Sequence, residues 1–80
     1  MNKQLRHGDL VMIPAFEPDD SLLHFTKSLL QEGLQVLVIN DGSSSSCRNI
    51  FDSLDKRIIL LSYEENRGKG YAMKFAMDYI

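Results

Sequence analysis

The 80-residue chain has a single cysteine, two prolines and no long apolar run. With Cys47 alone, no internal disulfide can form, which fits a reducing compartment. No apolar run approaches the roughly 18 residues that indicate a membrane-spanning helix, and the N-terminus lacks the apolar segment of a signal peptide. We therefore expect a cytoplasmic protein in which any membrane segment lies beyond residue 80.

The chain also lacks an excess of charge of one sign and the common catalytic motifs. The nine basic and eleven acidic residues give a net charge of −2, which does not indicate a nucleic-acid partner. The sequence contains no Asp-x-Asp, no Ser-His-Asp or Cys-His arrangement and no GxxxxGK[ST] loop. It also has no GxGxxG after its first apolar run, which disfavours a dinucleotide-binding fold. No catalytic residue and no metal ligand is therefore predicted.

Three short apolar segments are present, and each precedes a helical pattern. Strands are predicted at residues 10–13, 36–39 and 58–61. The apolar stripes of the three following helices are Leu22, Phe25, Leu29 and Leu30; Cys47, Ile50, Phe51 and Leu54; and Ala72, Phe75, Ala76, Tyr79 and Ile80. The alternation β-α-β-α-β-α predicts a Rossmann-like, three-layer α/β fold with a parallel sheet of order 3-2-1.

The third helical pattern is still in phase at Ile80 and has no stop signal. We therefore expect residues 1–80 to be the N-terminal part of a domain that continues beyond residue 80. Residues 1–8 are expected to be flexible.

The second predicted strand ends in the turn Asn40-Asp41-Gly42-Ser43. Open α/β sheets bind ligands at the carboxyl ends of their strands, and a carboxylate there can accept hydrogen bonds from a nucleobase or a ribose. We expect the Asp41 side chain to be mostly solvated, Gly42 to supply backbone freedom, and the serines at 43–46 to cap the next helix. The alternative is an ordinary turn without a ligand.

The first predicted strand leads into Pro14, Ala15, Phe16 and Glu17. The backbone of the first two residues could edge a pocket, and the Phe16 ring could lie against a base. The alternative for Phe16 is that its ring packs the first helix onto the core.

The loop after the third predicted strand contains Arg67, Gly68, Lys69 and Gly70 and opens a helix. Two cations, backbone N–H groups and a helix N-terminus all favour a phosphate. The alternative is a solvated basic turn that offsets Glu64 and Glu65.

The segments IPAFEPDD, VLVINDGSSS and ENRGKGYAMKFA, in this order, resemble the N-terminal part of family 2 glycosyltransferases, which have the GT-A fold. The resemblance covers residues 10–80. It implies that Asp41 contacts the nucleobase of a nucleotide-sugar donor, that Gly42 belongs to the same donor site, and that residues 14–17 edge the base and ribose pocket. It also places residues 67–70 near the nucleotide. Phe16 stands where the family usually has Tyr, Glu17-Pro18 where Asn-Glu is common, and Asn40 where the first of two aspartates stands.

The resemblance implies donor binding within an inverting glycosyltransferase that transfers a sugar to an acceptor hydroxyl. It also implies a divalent metal, Mg²⁺ or Mn²⁺, whose ligands lie outside this stretch, so the chain alone is expected to be inactive. The alternative is a non-catalytic α/β module that binds a nucleotide or a protein. A nucleotidyltransferase is disfavoured because its Gly-rich basic loop should follow strand one, where this chain has residues 14–17 instead.

Overall fold

The computed structural model of the protein describes residues 8–80. The strands are β1 (Leu10–Ala15), β2 (Gln35–Asp41) and β3 (Ile59–Tyr63), and the helices are α1 (Ser21–Gln31), α2 (Arg48–Asp52) and α3 (Lys69–Tyr79). A short 3-10 turn, Ser45–Cys47, leads into α2. The predicted order β-α-β-α-β-α is confirmed. The expectation of a flexible segment at residues 1–8 falls, except for Gly8, outside the described residues.

The three strands form one parallel sheet in the order β1-β2-β3, as predicted, with β2 in the centre. Residues 36–39 of β2 are at most 1% exposed, which is typical of a parallel strand covered by helices on both faces. All three strands continue past their predicted carboxyl ends, so that β2 ends at Asp41 and β3 at Tyr63. Pro14 is tolerated inside β1 because β1 lies at an edge of this sheet.

The core has two layers, one on each face of the sheet. On one face, Val36 and Val38 pack with residues of α1 and α2, including Leu22 and Phe51. The other face carries Leu37, Ile39, Ala72 and Ala76, which are all 0% exposed. Because alanines four residues apart share one face of a helix, α3 can approach β2 closely. These two layers and the sheet give the predicted three-layer α/β arrangement.

The predicted apolar faces of α1 and α3 are wrong in part. Phe25 is 52% exposed, whereas Thr26 is buried at 2%. Thr26 lies four residues after the buried Leu22, and its hydroxyl donates to the Leu22 carbonyl at 2.9 Å, so its polar group is satisfied in the core. Tyr79 and Ile80, at 58% and 69% exposure, also lie outside the core.

No helix between residues 8 and 80 has both the length and the apolar character needed to cross a membrane.

Candidate functional site

The carboxyl ends of β1, β2 and β3 meet at one edge of the sheet, because the strands are parallel and adjacent. Three loops leave this edge, at residues 16–20, 42–44 and 64–68. Every site residue predicted from the sequence lies in one of these loops or within two residues of it. Two carboxylates, those of Asp41 and Glu17, connect these loops to one another through hydrogen bonds.

The Asp41 side chain lies at the centre of this edge and is bound by the loop after β3. One carboxylate oxygen accepts from the Tyr63 hydroxyl at 2.6 Å and from the Arg67 N–H at 2.8 Å. The other accepts from the Asn66 side-chain amide at 2.9 Å and from the Gly68 N–H at 3.0 Å. Asp41 is only 4% exposed, so the expectation of a mostly solvated carboxylate is wrong: the loop covers it and fills its roughly four acceptor positions.

These contacts also set the charge state of the pair formed by Asp41 and Tyr63. The Tyr63 hydrogen bond, followed by those from the Arg67 and Gly68 N–H groups, lowers the pKa of Asp41 below its usual value of 3.8. Burial, followed by the Asp41 hydrogen bond, raises the pKa of Tyr63. At neutral pH, Asp41 is therefore an ionised acceptor and Tyr63 a protonated donor.

Gly42 combines an unusual backbone conformation with a close approach to the same loop. Its φ is +66°, in the left-handed region where glycine is favoured, as the sequence predicts. A Cβ atom at Gly42 would lie 2.1 Å from the Asn66 nitrogen and 2.3 Å from the Glu65 carbonyl carbon. Only glycine lets the loop after β3 pack against this turn.

Glu17 connects the loop after β1 to the loop after β2. Its N–H donates to Ser43 Oγ at 2.9 Å, while its carboxylate accepts from the Ser44 N–H and from Ser44 Oγ. The Ser44 hydrogen bonds lower the pKa of Glu17. The residue adopts a φ of 49°, which is uncommon for a residue with a side chain.

The prediction that the serines cap the second helix is wrong. Neither Ser44 nor Cys47, the N-cap residues of the 3-10 turn and of α2, makes a side-chain cap. Two of the serine hydroxyls contact Glu17 instead, and Glu17 supplies the acceptor for the Ser44 N–H. The acceptor comes from a residue 27 positions earlier in the chain, which a local capping signal cannot reveal.

Residues 14–17 line a shallow depression of about 440 Å³ between β1 and the start of α1, and Phe25 closes it on the helix side. Phe16 is 54% exposed. Its ring therefore does not pack α1 onto the core, and it is accessible from solvent.

The segment 67–70 carries the cations of this edge. The Arg67 guanidinium lies 5.3 Å from the centre of the Tyr71 ring and 3.7 Å from a Glu65 carboxylate oxygen. The Arg67 and Gly68 N–H groups are directed at Asp41, so they do not face a ligand. Lys69 is exposed and begins α3, where the N–H groups of the first turn have no partner within the helix.

The structure thus brings Asp41, Gly42, Arg67 and Gly68 together, and it joins Glu17 to the serine turn. Sequence reasoning missed Tyr63 and Asn66 as site residues. Asn66 stands inside the segment ENRGKG that carried the resemblance, so a signal for it was present. No sequence signal indicates Tyr63, because the third strand is predicted to end at residue 61.

Residues 8–80 provide no set of ligands for the divalent metal that the resemblance implies. Between residues 8 and 80, no three His, Cys, Asp or Glu side chains cluster in a way that could hold an ion. The oxygens of Asp41 already accept four protein hydrogen bonds. The described residues do not fit the metal, and no chemical step is assigned to it.

Comparison with known proteins gives one match. The sequence model of Glycosyl transferase family 2 matches residues 10–80. No curated protein and no solved structure matches the chain. The matched range contains all three strands and every residue of the candidate site.

Proposed function

Because the chain belongs to glycosyl transferase family 2, we propose that the carboxyl edge of its sheet binds the nucleotide-sugar donor of a glycosyl transfer reaction. The observation that carries the proposal is the interlocked set of loops at this edge. Asp41 holds the turn that precedes α3, and Glu17 holds the turn that precedes α2. Loops held in this way on a rigid sheet can present ligand-binding groups in a defined geometry.

The nucleobase and ribose are proposed to lie against the depression formed by Pro14, Ala15, Phe16 and Glu17. The exposed Phe16 ring offers a flat apolar surface on which a base can stack. The Pro14 and Ala15 backbone would edge this pocket.

The diphosphate is proposed to lie at the start of α3. Arg67 and Lys69 supply positive charge there, and Gly70 lies in the first turn of the helix. Anions bind favourably at a helix N-terminus because the free N–H groups point towards them. The Arg67 and Gly68 N–H groups would contribute indirectly, by keeping the turn bound to Asp41.

The proposed contact between Asp41 and the nucleobase requires an exchange of hydrogen bonds. Each oxygen of the carboxylate already accepts two. The amide of Asn66 is the donor most readily replaced, because it is a neutral side chain on an exposed residue. We propose that an N–H of the base takes its place when the donor binds.

The reaction is proposed to proceed with inversion at the sugar carbon. The acceptor hydroxyl gives its proton to a general base, and its oxygen forms the new bond to this carbon while the bond to the nucleoside diphosphate breaks and the nucleoside diphosphate leaves. The free thiol of Cys47 fits the proposal of a cytoplasmic location.

Calorimetric titration of the chain with a panel of UDP-, GDP- and CDP-sugars tests the proposal. We expect one class to bind and the Asp41→Ala variant to bind it about tenfold or more weakly, because the variant loses both the contact with the base and the hydrogen bonds that hold the turn at Arg67 and Gly68. Lys69→Gln should also weaken binding without disturbing the buried edge. Asp52→Ala and Lys56→Gln, which change the same charges at exposed positions, are the controls. If the wild-type chain binds no member of the panel, the proposed function is wrong.

A further inference from the structure

Tyr63 ends β3 with its hydroxyl aimed at Asp41 and its ring packed against two aromatic residues of α3. The hydroxyl donates to one Asp41 oxygen at 2.6 Å. The ring centre lies 5.1 Å from that of Tyr71 and 5.0 Å from that of Phe75, in edge-to-face contacts. Such aromatic contacts add stability beyond burial alone, so packing holds the Tyr63 ring in the place from which its hydroxyl reaches Asp41.

The hydroxyl is one of the four donors that orient the carboxylate. It donates to the same Asp41 oxygen that accepts the Arg67 N–H. The second oxygen accepts from the Gly68 N–H and from the Asn66 amide. Hydrogen bonds to an ionised acceptor are stronger than neutral ones, so removal of the hydroxyl loosens the carboxylate that holds both N–H groups.

The turn at Arg67 and Gly68 also determines the position of the first turn of α3. Gly68 is the N-cap residue of this helix, with a φ of 90°, and its carbonyl accepts the Ala72 N–H at 3.0 Å. A change in the orientation of Gly68 therefore moves the first turn of α3 and the Lys69 side chain.

We infer that Tyr63 is a positioning residue for the donor: through Asp41 it holds the turn at Arg67 and Gly68, and with it Lys69 and the first turn of α3, in the geometry that receives a diphosphate. The inference rests on the proposed function. In this role Tyr63 does not touch the donor, and its hydroxyl acts only through the Asp41 carboxylate.

The test compares Tyr63→Phe with Tyr79→Phe, which removes the same hydroxyl from an exposed residue at the end of α3. Both variants and the wild-type chain are titrated with UDP, GDP and CDP. Amide hydrogen exchange is followed at Arg67 and Gly68 and, as a reference, in the buried β2. Tyr63→Phe should bind about tenfold more weakly and exchange faster at Arg67 and Gly68 alone. Tyr79→Phe should match the wild type.

The possible outcomes separate this inference from the proposed function. If the wild-type chain binds none of the nucleotides, both are wrong. If the wild-type chain and Tyr63→Phe bind equally well, only the inference is wrong. Weaker binding by Tyr63→Phe with unchanged exchange at Arg67 and Gly68 also overturns it, because the turn would then not be the intermediary.

A second measurement needs no variant and applies if Tyr63→Phe does not fold. A saturating nucleotide should slow amide exchange at Arg67 and Gly68 in the wild-type chain more than at Val36 and Val38. Equal slowing, or none, contradicts the role assigned to this turn.

Discussion

At the scale of single residues, the two carboxylates of the candidate site bind the protein itself. Asp41 receives two backbone N–H groups and two side-chain donors. Glu17 receives donors from Ser44 and Cys47. The sequence placed both residues correctly at the ends of strands. Their partners could not be predicted, because they lie 22 to 30 positions away along the chain.

Gly42 provides the clearest prediction at this scale. Gly42→Ala should destabilise the chain by about 3 kcal/mol or more, since it adds a backbone clash to the strain of a positive φ. Gly8→Ala is the control, because Gly8 has a φ of +91° with nothing within 4 Å of an added Cβ. It should cost only about 1–2 kcal/mol. Urea unfolding measures the loss of stability in both variants. Equal losses would show that the close approach of Gly42 to Asn66 does not add to the cost of the substitution.

At the scale of secondary-structure elements, the sheet leaves its two outer strands with one unpaired side each. Between residues 8 and 80, β1 and β3 pair only with β2. The residues of β1 from Leu10 to Pro14 are half-buried and mostly apolar. An unpaired apolar edge is a template for pairing with another chain.

We therefore expect the chain to self-associate as its concentration rises. Val11→Lys, which adds a charge to β1, should reduce the association. Gln31→Lys adds the same charge at the exposed end of α1 and should not. Sedimentation velocity over a hundredfold range of concentration is the measurement. A wild-type chain that stays monomeric throughout, with a sharp melting transition, would contradict the prediction.

At the scale of the whole molecule, a small core and several hydrogen-bonded carboxylates determine how the chain behaves. A domain of this size buries a modest fraction of its surface, so its free energy of unfolding is small. Asp41, Glu17 and Asp19 have their pKa values lowered by hydrogen bonds from neighbouring groups. The pKa of Asp55 falls to about 2 through its contacts with Arg57, although this exposed pair contributes little to stability.

The lowered pKa values predict instability in acid. A carboxylate whose pKa is lower in the folded chain stabilises it above its ordinary pKa, which is 3.8 for Asp41 and 4.5 for Glu17. This contribution is lost as the pH falls through the folded values. Urea unfolding between pH 7 and pH 2 should show a steep loss below about pH 4.5. The loss should be smaller in Asp41→Asn but unchanged in Asp52→Asn, and a flat profile in the wild-type chain would be the contrary result.

The composition of the described stretch also predicts that the chain transfers no sugar by itself. No carboxylate cluster for a metal is present between residues 8 and 80. The carboxylates of Asp41 and Glu17 already accept hydrogen bonds from the loops. Incubation with nucleotide sugars, Mg²⁺ or Mn²⁺ and candidate acceptors should release no nucleoside diphosphate above the background of a heat-denatured sample. Enzyme-dependent release together with a glycosylated product would refute this expectation.

The sequence by itself determined the α/β class, the parallel order of the strands and the loops that meet at the carboxyl edge. These follow from local periodicity and turn residues, which neighbours along the chain establish. Tertiary structure decided that Thr26 and not Phe25 faces the core, and that Tyr63 and Asn66 donate to Asp41. It also decided that Glu17, and not a serine side chain, accepts the Ser44 N–H. The physical reason is that these contacts depend on the register of β2 against β3 and on the approach of separate loops, and no local pattern encodes either of them.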